Sequence, residues 1–228
     1  MSDNVALYKI VTRFYAMPKI IEIDPSSPSP DLIMSAAGVI KEGGVIAFPT
    51  KHLYGLGVDA FNRRAVDKVF EIKRRPYHKP LLILIDKKDD LAELVNEVPL
   101  AAEHIMERFW PGQVTIVFEC KGSLPTNLTA GTNRIGVRMP EHPVAASLTH
   151  AVQGPITATS ANIAGDAGCS RIQDMEPLIT EKLDLILDAG TLIGGVGSTV
   201  VDVTVNPPRV LREGAVLAKN IFSILQIK

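Results

Sequence analysis

The sequence has few cysteines and lacks the patterns that usually mark a covalent or metal centre. Its 228 residues include two cysteines and five scattered histidines, with no CxxC pair and no Cys/His cluster. This excludes a disulfide framework and a zinc site of recognisable spacing. GxSxG and HExxH are also missing. The sequence therefore predicts no metal held by the protein, and it favours catalysis by positioning and charge stabilisation.

Strong net charge and long apolar runs are also lacking. The formal net charge is −1, so the molecule as a whole does not attract nucleic acid or an anionic membrane. No apolar run approaches the length that spans a membrane, and the first 15 residues lack the apolar core of a signal peptide. With so few cysteines, we expect a soluble cytoplasmic protein without a membrane partner.

What the sequence does contain is a regular alternation of strand and helix patterns. Hydrophobic residues make up 46% of the chain, which is enough for a well-buried core. Strand patterns such as VIAF and QVTIVFE alternate with helical ones such as RRAVDKVFEIKRR, which Asn62 can cap and Pro76 ends. We predict one α/β domain over 1–228 around a largely parallel or mixed twisted sheet, with PITATSAN at 155–162 as a single strand.

Positive charge is concentrated in one segment of this otherwise balanced chain. Residues 63–88 contain nine lysines and arginines against three acids. A solvated helix face is the plain explanation for such a run. However, Lys73, Arg74 and Arg75 stand at the end of a predicted helix, where their side chains can project beyond the backbone toward an anion. Cations at this position also stabilise the helix dipole, so both readings stay open.

Two further stretches place polar groups beside apolar strands. TATSAN at 157–162 offers hydroxyl and amide groups that can bind phosphate or ribose oxygens, or else form an Asx/Ser turn. Arg138 alternates with Val137 and Met139, so its side chain points to the opposite face. A guanidinium there pairs either with an internal carboxylate or with an anionic ligand.

Near the end of the chain, Gly194, Gly195 and Gly197 precede Ser198 in a pattern that matches no phosphate-loop motif. Arg212 follows a strand pattern and is either a surface arginine or a further contact for an anion. Each of these signals is weak when it is taken alone.

Taken together, seven motifs occur in order along about 20–214: FPTxxxYGLG, IKRRP, WPGQVTIV, TAGTNRIGVRMP, TATSAN, GSTVVD and VLREG. With them the chain resembles the YrdC-like threonylcarbamoyl-AMP synthases in their short, single-domain form. The resemblance implies a YrdC-like twisted mixed sheet with flanking helices around a large basic cavity. It also implies a nucleotidyltransferase that joins L-threonine, bicarbonate or CO2, and ATP into L-threonylcarbamoyl-AMP and pyrophosphate. That product is the activated intermediate for the t6A modification of tRNA adenosine 37.

The resemblance assigns roles to nine residues of this chain. Lys73 and Arg75 match the family's KxR pair, which would hold the ATP phosphates and stabilise charge during the transfer. The other nucleotide contacts would be Ser160, Asn162 and Arg212, and the threonine contacts would be Thr50, Arg138, the backbone at Ala158, and Ser198. Magnesium would enter with the nucleotide, and proteins of the t6A pathway would receive the product. FPTKHLYGLG would then form the cavity floor, with its glycines permitting a sharp exit and Tyr54 supporting the wall.

The chain departs from the family pattern at two places. Lys51 and His52 stand where an acid and a threonine are usual, and Arg134 stands where a small hydroxyl residue is common. Two alternative functions stay open. One is a related carbamoyl-adenylate former, as in hydrogenase-maturation carbamoyltransferases, and the other is an RNA-binding module of the same fold with weak affinity for tRNA or double-stranded RNA.

Overall fold

The strands of the protein form two mixed sheets with helices packed around them. The computed structural model describes residues 18–226. The strands are β1 (Lys19–Glu22), β2 (Ile46–Pro49), β3 (Tyr54–Gly57), β4 (Leu82–Leu84), β5 (Val114–Glu119), β6 (Arg134–Arg138), β7 (Ile156–Thr157), β8 (Thr159–Ser160), β9 (Leu185–Asp188), β10 (Thr199–Asp202) and β11 (Arg209–Arg212). The helices are α1 (Pro30–Lys41), α2 (Arg63–Lys73), α3 (Leu91–Leu94), α4 (Leu100–Phe109), α5 (Pro143–Val152), α6 (Pro177–Thr180) and α7 (Ala218–Leu225).

The α/β class predicted from the sequence is confirmed, and the strands divide between the two sheets. The first sheet has the order β1-β9-β2-β3-β8, and the second has the order β11-β10-β5-β6-β4-β7. Parallel pairs (β1 with β9, β9 with β2, β10 with β5, β4 with β6) occur beside antiparallel ones in both sheets. Both sheets are therefore mixed.

The segment 155–162 joins the two sheets and is not the single strand that its pattern predicts. β7 pairs with β4 in the second sheet, whereas β8 pairs with β3 in the first. Ala158 lies between the two short strands, and its N–H donates to the Leu82 carbonyl at 3.1 Å. The chain thus crosses from one sheet to the other within five residues, and it carries the polar TATSAN groups to the junction of the sheets.

FPTKHLYGLG forms a tight hairpin, of which the second strand was not predicted. β2 and β3 pair antiparallel, with Phe48 opposite Gly55. The glycines do not provide a sharp exit as the sequence suggested, because Gly55 and Gly57 lie within β3. A Cβ at Gly57 would approach the Phe48 ring to 2.7 Å, so glycine is required for close packing within the hairpin.

Helix α2 begins as predicted and ends two residues earlier than expected. The Asn62 side chain accepts a hydrogen bond from the Ala65 N–H at 3.1 Å, which caps the first turn. Arg74 adopts the left-handed conformation, with φ of 49°, and this ends the helix. The change of direction sends the side chains of Lys73 and Arg75 into different surroundings.

Strict alternation in the central strands separates the core from the site. In β6, Ile135 and Val137 are buried, while Arg134, Gly136 and Arg138 line a cavity on the other face. Helices cover the opposite faces, as where α4 packs on β5 and α5 packs on β2. Within residues 18–226, no helix is both long and apolar enough to cross a membrane.

Candidate active site

A cavity of about 610 Å³ lies where the two sheets meet. Strands β5, β6 and β10 of the second sheet contribute one side, and β3 and β8 of the first sheet contribute another. Among the described residues that line it, Asp202 is the only acid, against four arginines. These are Arg75, Arg134, Arg138 and Arg212. The large basic cavity that the sequence implied is therefore present, and it suits an anionic ligand.

The cavity brings together most of the residues to which the family resemblance assigns substrate contacts. Seven of the nine line it: Thr50, Arg75, Arg138, Ala158, Ser160, Ser198 and Arg212. These residues are more than 160 positions apart at the extremes of the sequence, yet they share one space. Lys73 and Asn162 lie outside the lining and are buried behind it.

Arg138 occupies the end of β6 with part of its guanidinium unsatisfied. Its Nε is buried without a hydrogen-bond partner among the described residues. Burial lowers the pKa of Arg138 to about 10; the Glu141 charge opposes this shift and the Arg212 charge adds to it. A buried guanidinium with an unpaired donor is costly, and an anion that pairs with it would remove much of that cost.

Arg75 and Arg212 form a second positive region of the lining. Arg75 donates from Nε to the Lys79 carbonyl at 3.0 Å and from Nη2 to the Pro80 carbonyl at 2.8 Å. Arg212 donates from Nη2 to the Ser198 carbonyl at 2.7 Å. Burial lowers the pKa of both guanidinium groups, and the Arg212 charge further lowers the pKa of Arg75. Two fixed cations that repel each other are suited to a polyanion such as a phosphate chain.

Lys73 differs from the expectation that its side chain projects past the helix end. It is 1% exposed, and its ammonium donates to the carbonyls of Ser160 and Asn162, the latter at 2.6 Å. Burial and the Arg75 charge lower the pKa of Lys73 to about 7. In this geometry Lys73 supports the strand end that carries Ser160, and its assignment to the ATP phosphates stays a prediction.

Asn162 also has a structural position in this geometry. Its Nδ2 donates to the carbonyls of Ile163 and Asp166 at 2.7 and 2.8 Å, so it closes the loop after β8. Its Oδ1 is buried without a partner among the described residues. The Ser160 side of the SxN element therefore lines the cavity, while the asparagine shapes the turn behind it.

Hydroxyl groups also line the cavity, and Arg212 connects them to the arginines, because its Nη2 lies 3.5 Å from the Ser198 Oγ. The Thr50 Oγ1 donates to the Leu53 carbonyl at 2.6 Å, which leaves its lone pairs as acceptors for an ammonium group. The Ser198 and Thr115 hydroxyls lie 2.8 Å apart. Together with Arg138, these groups offer a cation and several small polar groups, the chemistry that a zwitterionic amino acid requires.

Several lining residues were not identified from the sequence. Gln113 and Thr115 alternate with the buried Val114 and Ile116 in and before β5, and this pattern could have revealed them. His52, Thr132 and Asp202 also line the cavity. Arg134, singled out as a departure from the family pattern, pairs with Asp202 at 3.4 Å.

Tyr54 anchors the wall through its hydroxyl group. The oxygen lies 2.7 Å from the Gly190 carbonyl and 3.1 Å from Asp188 Oδ1, and it accepts from the Ala189 N–H at 2.9 Å. Burial raises the pKa of this phenol, the Ala189 N–H opposes the shift, and the Asp188 charge adds to it. The neutral hydroxyl thereby ties β3 to the segment after β9.

Replacing Tyr54 by phenylalanine is expected to lower the free energy of unfolding by about 1–3 kcal/mol, because buried polar partners lose their hydrogen bonds. Urea unfolding measures this loss. Tyr77→Phe is the matched control, since Tyr77 is 54% exposed and only its ring packs, on Phe70. Equal stability of the two variants would contradict the assigned role of Tyr54.

The described residues contain no group of three or more His, Cys, Asp or Glu side chains that could hold a metal ion. The Asp202 carboxylate is already engaged, because Oδ1 accepts from the Thr204 N–H and hydroxyl at 2.9 and 2.6 Å. A divalent cation at this site would therefore depend on ligands that a substrate brings.

Comparison with known proteins agrees with this geometry. The family model for Sua5, YciO and YrdC, which carries the description "Telomere recombination", matches residues 38–214. The chain is 39% identical over 193 residues to threonylcarbamoyl-AMP synthase of Pyrococcus abyssi (strain GE5 / Orsay), covering 85% of this chain and 57% of that protein. It is 35% identical over 203 residues to the synthase of Bacillus subtilis (strain 168), covering 89% of this chain and 59% of that protein.

A solved structure shares the fold. P. abyssi Sua5 complexed with L-threonine superposes with a TM-score of 0.86 at 38% identity, covering 90% of this chain and 60% of that chain. The chain thus spans about three fifths of the length of these relatives. Because the family model matches most of its residues, the chain belongs to the Sua5/YciO/YrdC family.

Proposed function

We propose that the protein is an L-threonylcarbamoyl-AMP synthase, which converts L-threonine, bicarbonate or CO2, and ATP into L-threonylcarbamoyl-AMP and pyrophosphate. The observation that carries this proposal is the cavity lined by four arginines, of which Arg138 has a buried Nε without a partner among the described residues. Two relatives of 35% and 39% identity are named threonylcarbamoyl-AMP synthase, and the Sua5 structure was obtained with L-threonine.

The nucleotide binds at the end formed by Arg75, Arg212 and Ser160. The two guanidinium groups face a triphosphate, and the Ser160 hydroxyl offers a neutral hydrogen bond. Lys73 and Asn162 complete this end in the proposal. Lys73 reaches a phosphate only by releasing carbonyls that it now holds, so its main contribution is to fix β8.

The amino acid binds at the end formed by Arg138, Thr50 and Ser198. The Arg138 guanidinium pairs with the carboxylate, and the Thr50 oxygen accepts from the substrate amine or hydroxyl. The backbone at Ala158, which lines the same cavity, contributes to this site in the proposal. Substrates held in this order bring the amine of threonine toward the phosphates of ATP.

The chemistry requires two steps with balanced atoms. The neutral amine of threonine adds to CO2 and loses a proton, which gives N-carboxythreonine. Its new carboxylate oxygen attacks the α-phosphorus of ATP in line, a P–O bond forms to the adenylate, and the bond to pyrophosphate breaks. The fixed arginines stabilise charge that grows on the leaving group, which lowers the barrier without a covalent enzyme intermediate.

Magnesium enters this proposal as part of the nucleotide substrate. The engaged Asp202 carboxylate and the excess of arginine make the cavity suited to the anionic complex of ATP with its cation. The product, a reactive mixed anhydride, passes to the enzymes that form t6A on tRNA. We place this reaction in the cytoplasm, consistent with the free thiols of Cys120 and Cys169.

The decisive experiment incubates the full chain with ATP, bicarbonate and each of the 20 amino acids in turn. We expect pyrophosphate release and a threonylcarbamoyl-adenylate mass with L-threonine, and neither product when bicarbonate is removed. Release of pyrophosphate from ATP when carbamoyl phosphate replaces both bicarbonate and the amino acid would instead favour a carbamoyl-adenylate former. Salt-sensitive RNA binding without ATP turnover would favour an RNA-binding module.

A further inference from the structure

Lys51 and His52, the pair that departs from the family pattern, attach the loop 50–53 to two other segments. Lys51 Nζ pairs with Glu141 Oε2 at 3.0 Å. His52 Nδ1 lies 2.7 Å from the Gly194 carbonyl, and the Gly194 N–H donates back to the His52 carbonyl at 2.9 Å. The loop between β2 and β3 is therefore fastened on both of its sides.

Both attached segments carry groups that the proposed function assigns to threonine. Glu141 follows Arg138 by three residues, and Gly194 precedes Ser198 by four. Thr50 is the first residue of the fastened loop. The two attachments therefore fix the separation of three groups that one small amino acid must reach together.

The Glu141 carboxylate accepts hydrogen bonds from two side chains. Its Oε1 accepts from the Gln113 amide while its Oε2 accepts from Lys51. Burial alone would raise the pKa of Glu141, but the hydrogen bonds from Gln113 and Lys51 together with the charges of Lys51 and Arg138 lower it overall. Gln113 lines the cavity, whereas Lys51 and Glu141 lie outside the lining.

We infer that Lys51 and Glu141 are positioning residues, which raise the affinity for the amino-acid substrate by holding Thr50 in place beside Arg138. This inference rests on the proposed function. An exposed ion pair contributes little to global stability, so its effect is local. Without it the loop 50–53 is freer, and binding of the amino acid must order it at an entropic cost.

The test compares Lys51→Met, Glu141→Gln and the charge swap Lys51→Glu/Glu141→Lys by steady-state kinetics, with L-threonine and ATP varied separately. We expect each single variant to raise the KM for L-threonine about three- to tenfold, with kcat and the KM for ATP changed less than about twofold. The swap should restore only part of the threonine affinity, because it also places a positive charge near Arg138 where Glu141 stood. Lys51→Met retains the Glu141 charge near Arg138. Its effect on the KM for L-threonine therefore comes from the loop 50–53 and not from a changed charge beside Arg138.

Asp174→Asn is the matched control, because it removes the exposed Arg171–Asp174 pair at 2.8 Å outside the cavity lining. It should leave both KM values unchanged. If the wild type is active, two results overturn this inference alone. One is an unchanged KM for L-threonine in both single variants, and the other is a KM for ATP that rises as much as the KM for L-threonine. A wild type that forms no threonylcarbamoyl-adenylate overturns the proposed function and this inference together.

Discussion

Replacement of Arg138 by methionine is expected to raise the KM for L-threonine about 100-fold or more, because it removes one partner of a buried charge pair that forms in the complex. The KM for ATP should change less, since the proposed phosphate contacts Arg75 and Arg212 remain in place. Steady-state pyrophosphate release, with each substrate varied in turn, measures both values. Calorimetric titration with L-threonine provides an independent binding constant.

The free energy of unfolding of Arg138→Met shows whether the variant has lost a substrate contact or has a damaged fold. Arg138 has a buried Nε without a partner, so its replacement should leave the free energy of unfolding unchanged or higher by about 1 kcal/mol. Arg134→Met is the control, because Arg134 lies on the same face of β6 but pairs with Asp202. A threonine KM that is normal in Arg138→Met, or raised equally in Arg134→Met, would contradict the assignment of Arg138 to the carboxylate.

The sequence predicted that the side chains of Arg138 and Arg75 face away from the core, because each prediction depended on local geometry. Alternation along β6 requires the side chain of Arg138 to leave the face that Val137 buries, and the structure confirms this. Arg75 likewise comes just after the end of α2, and its side chain lines the cavity. Motif order then indicated that these distant residues act together.

Lys73 and Ala158 show what local patterns cannot determine. Lys73 was expected to project past the helix end, but it is buried, and its partners come from 160–162 and depend on tertiary structure. Ala158 lies within an apolar and hydroxyl-rich run that is typical of one strand. The division into β7 and β8 follows from pairing with two different sheets, and this is a property of the whole fold.

The contacts of Lys51 and His52 were also invisible to pattern analysis. Their partners, Glu141 and Gly194, are separated from them by 90 and 142 positions. A departure from a family motif indicates where a chain differs, but only the tertiary structure gives the contacts that the new residues make. In this protein the two residues join three segments around one end of the cavity.

Replacement of Lys73 by methionine is expected to abolish threonine-dependent release of pyrophosphate, a loss of about 100-fold or more. The change removes an amine that is charged below about pH 7 and frees two carbonyls that hold the strand end carrying Ser160. Lys68→Met is the matched control, because Lys68 is exposed and donates to the Gly43 carbonyl far from the lining. Full activity in Lys73→Met would contradict both the phosphate role and the supporting role of Lys73.

The pH dependence of stability tests the burial of Lys73 without any assay of activity. Its pKa is about 7 in the folded chain against 10.5 for a free side chain, so between these values the unfolded chain binds a proton that the folded chain does not. The free energy of unfolding of the wild type therefore rises with pH across this interval, and Lys73→Met lacks this contribution. Urea unfolding at pH 6.5 and pH 9.5 should show a wild-type advantage over the variant that grows with pH. Parallel pH dependences would show that the two carbonyls keep the ammonium charged throughout, with its folded pKa close to that of a free lysine.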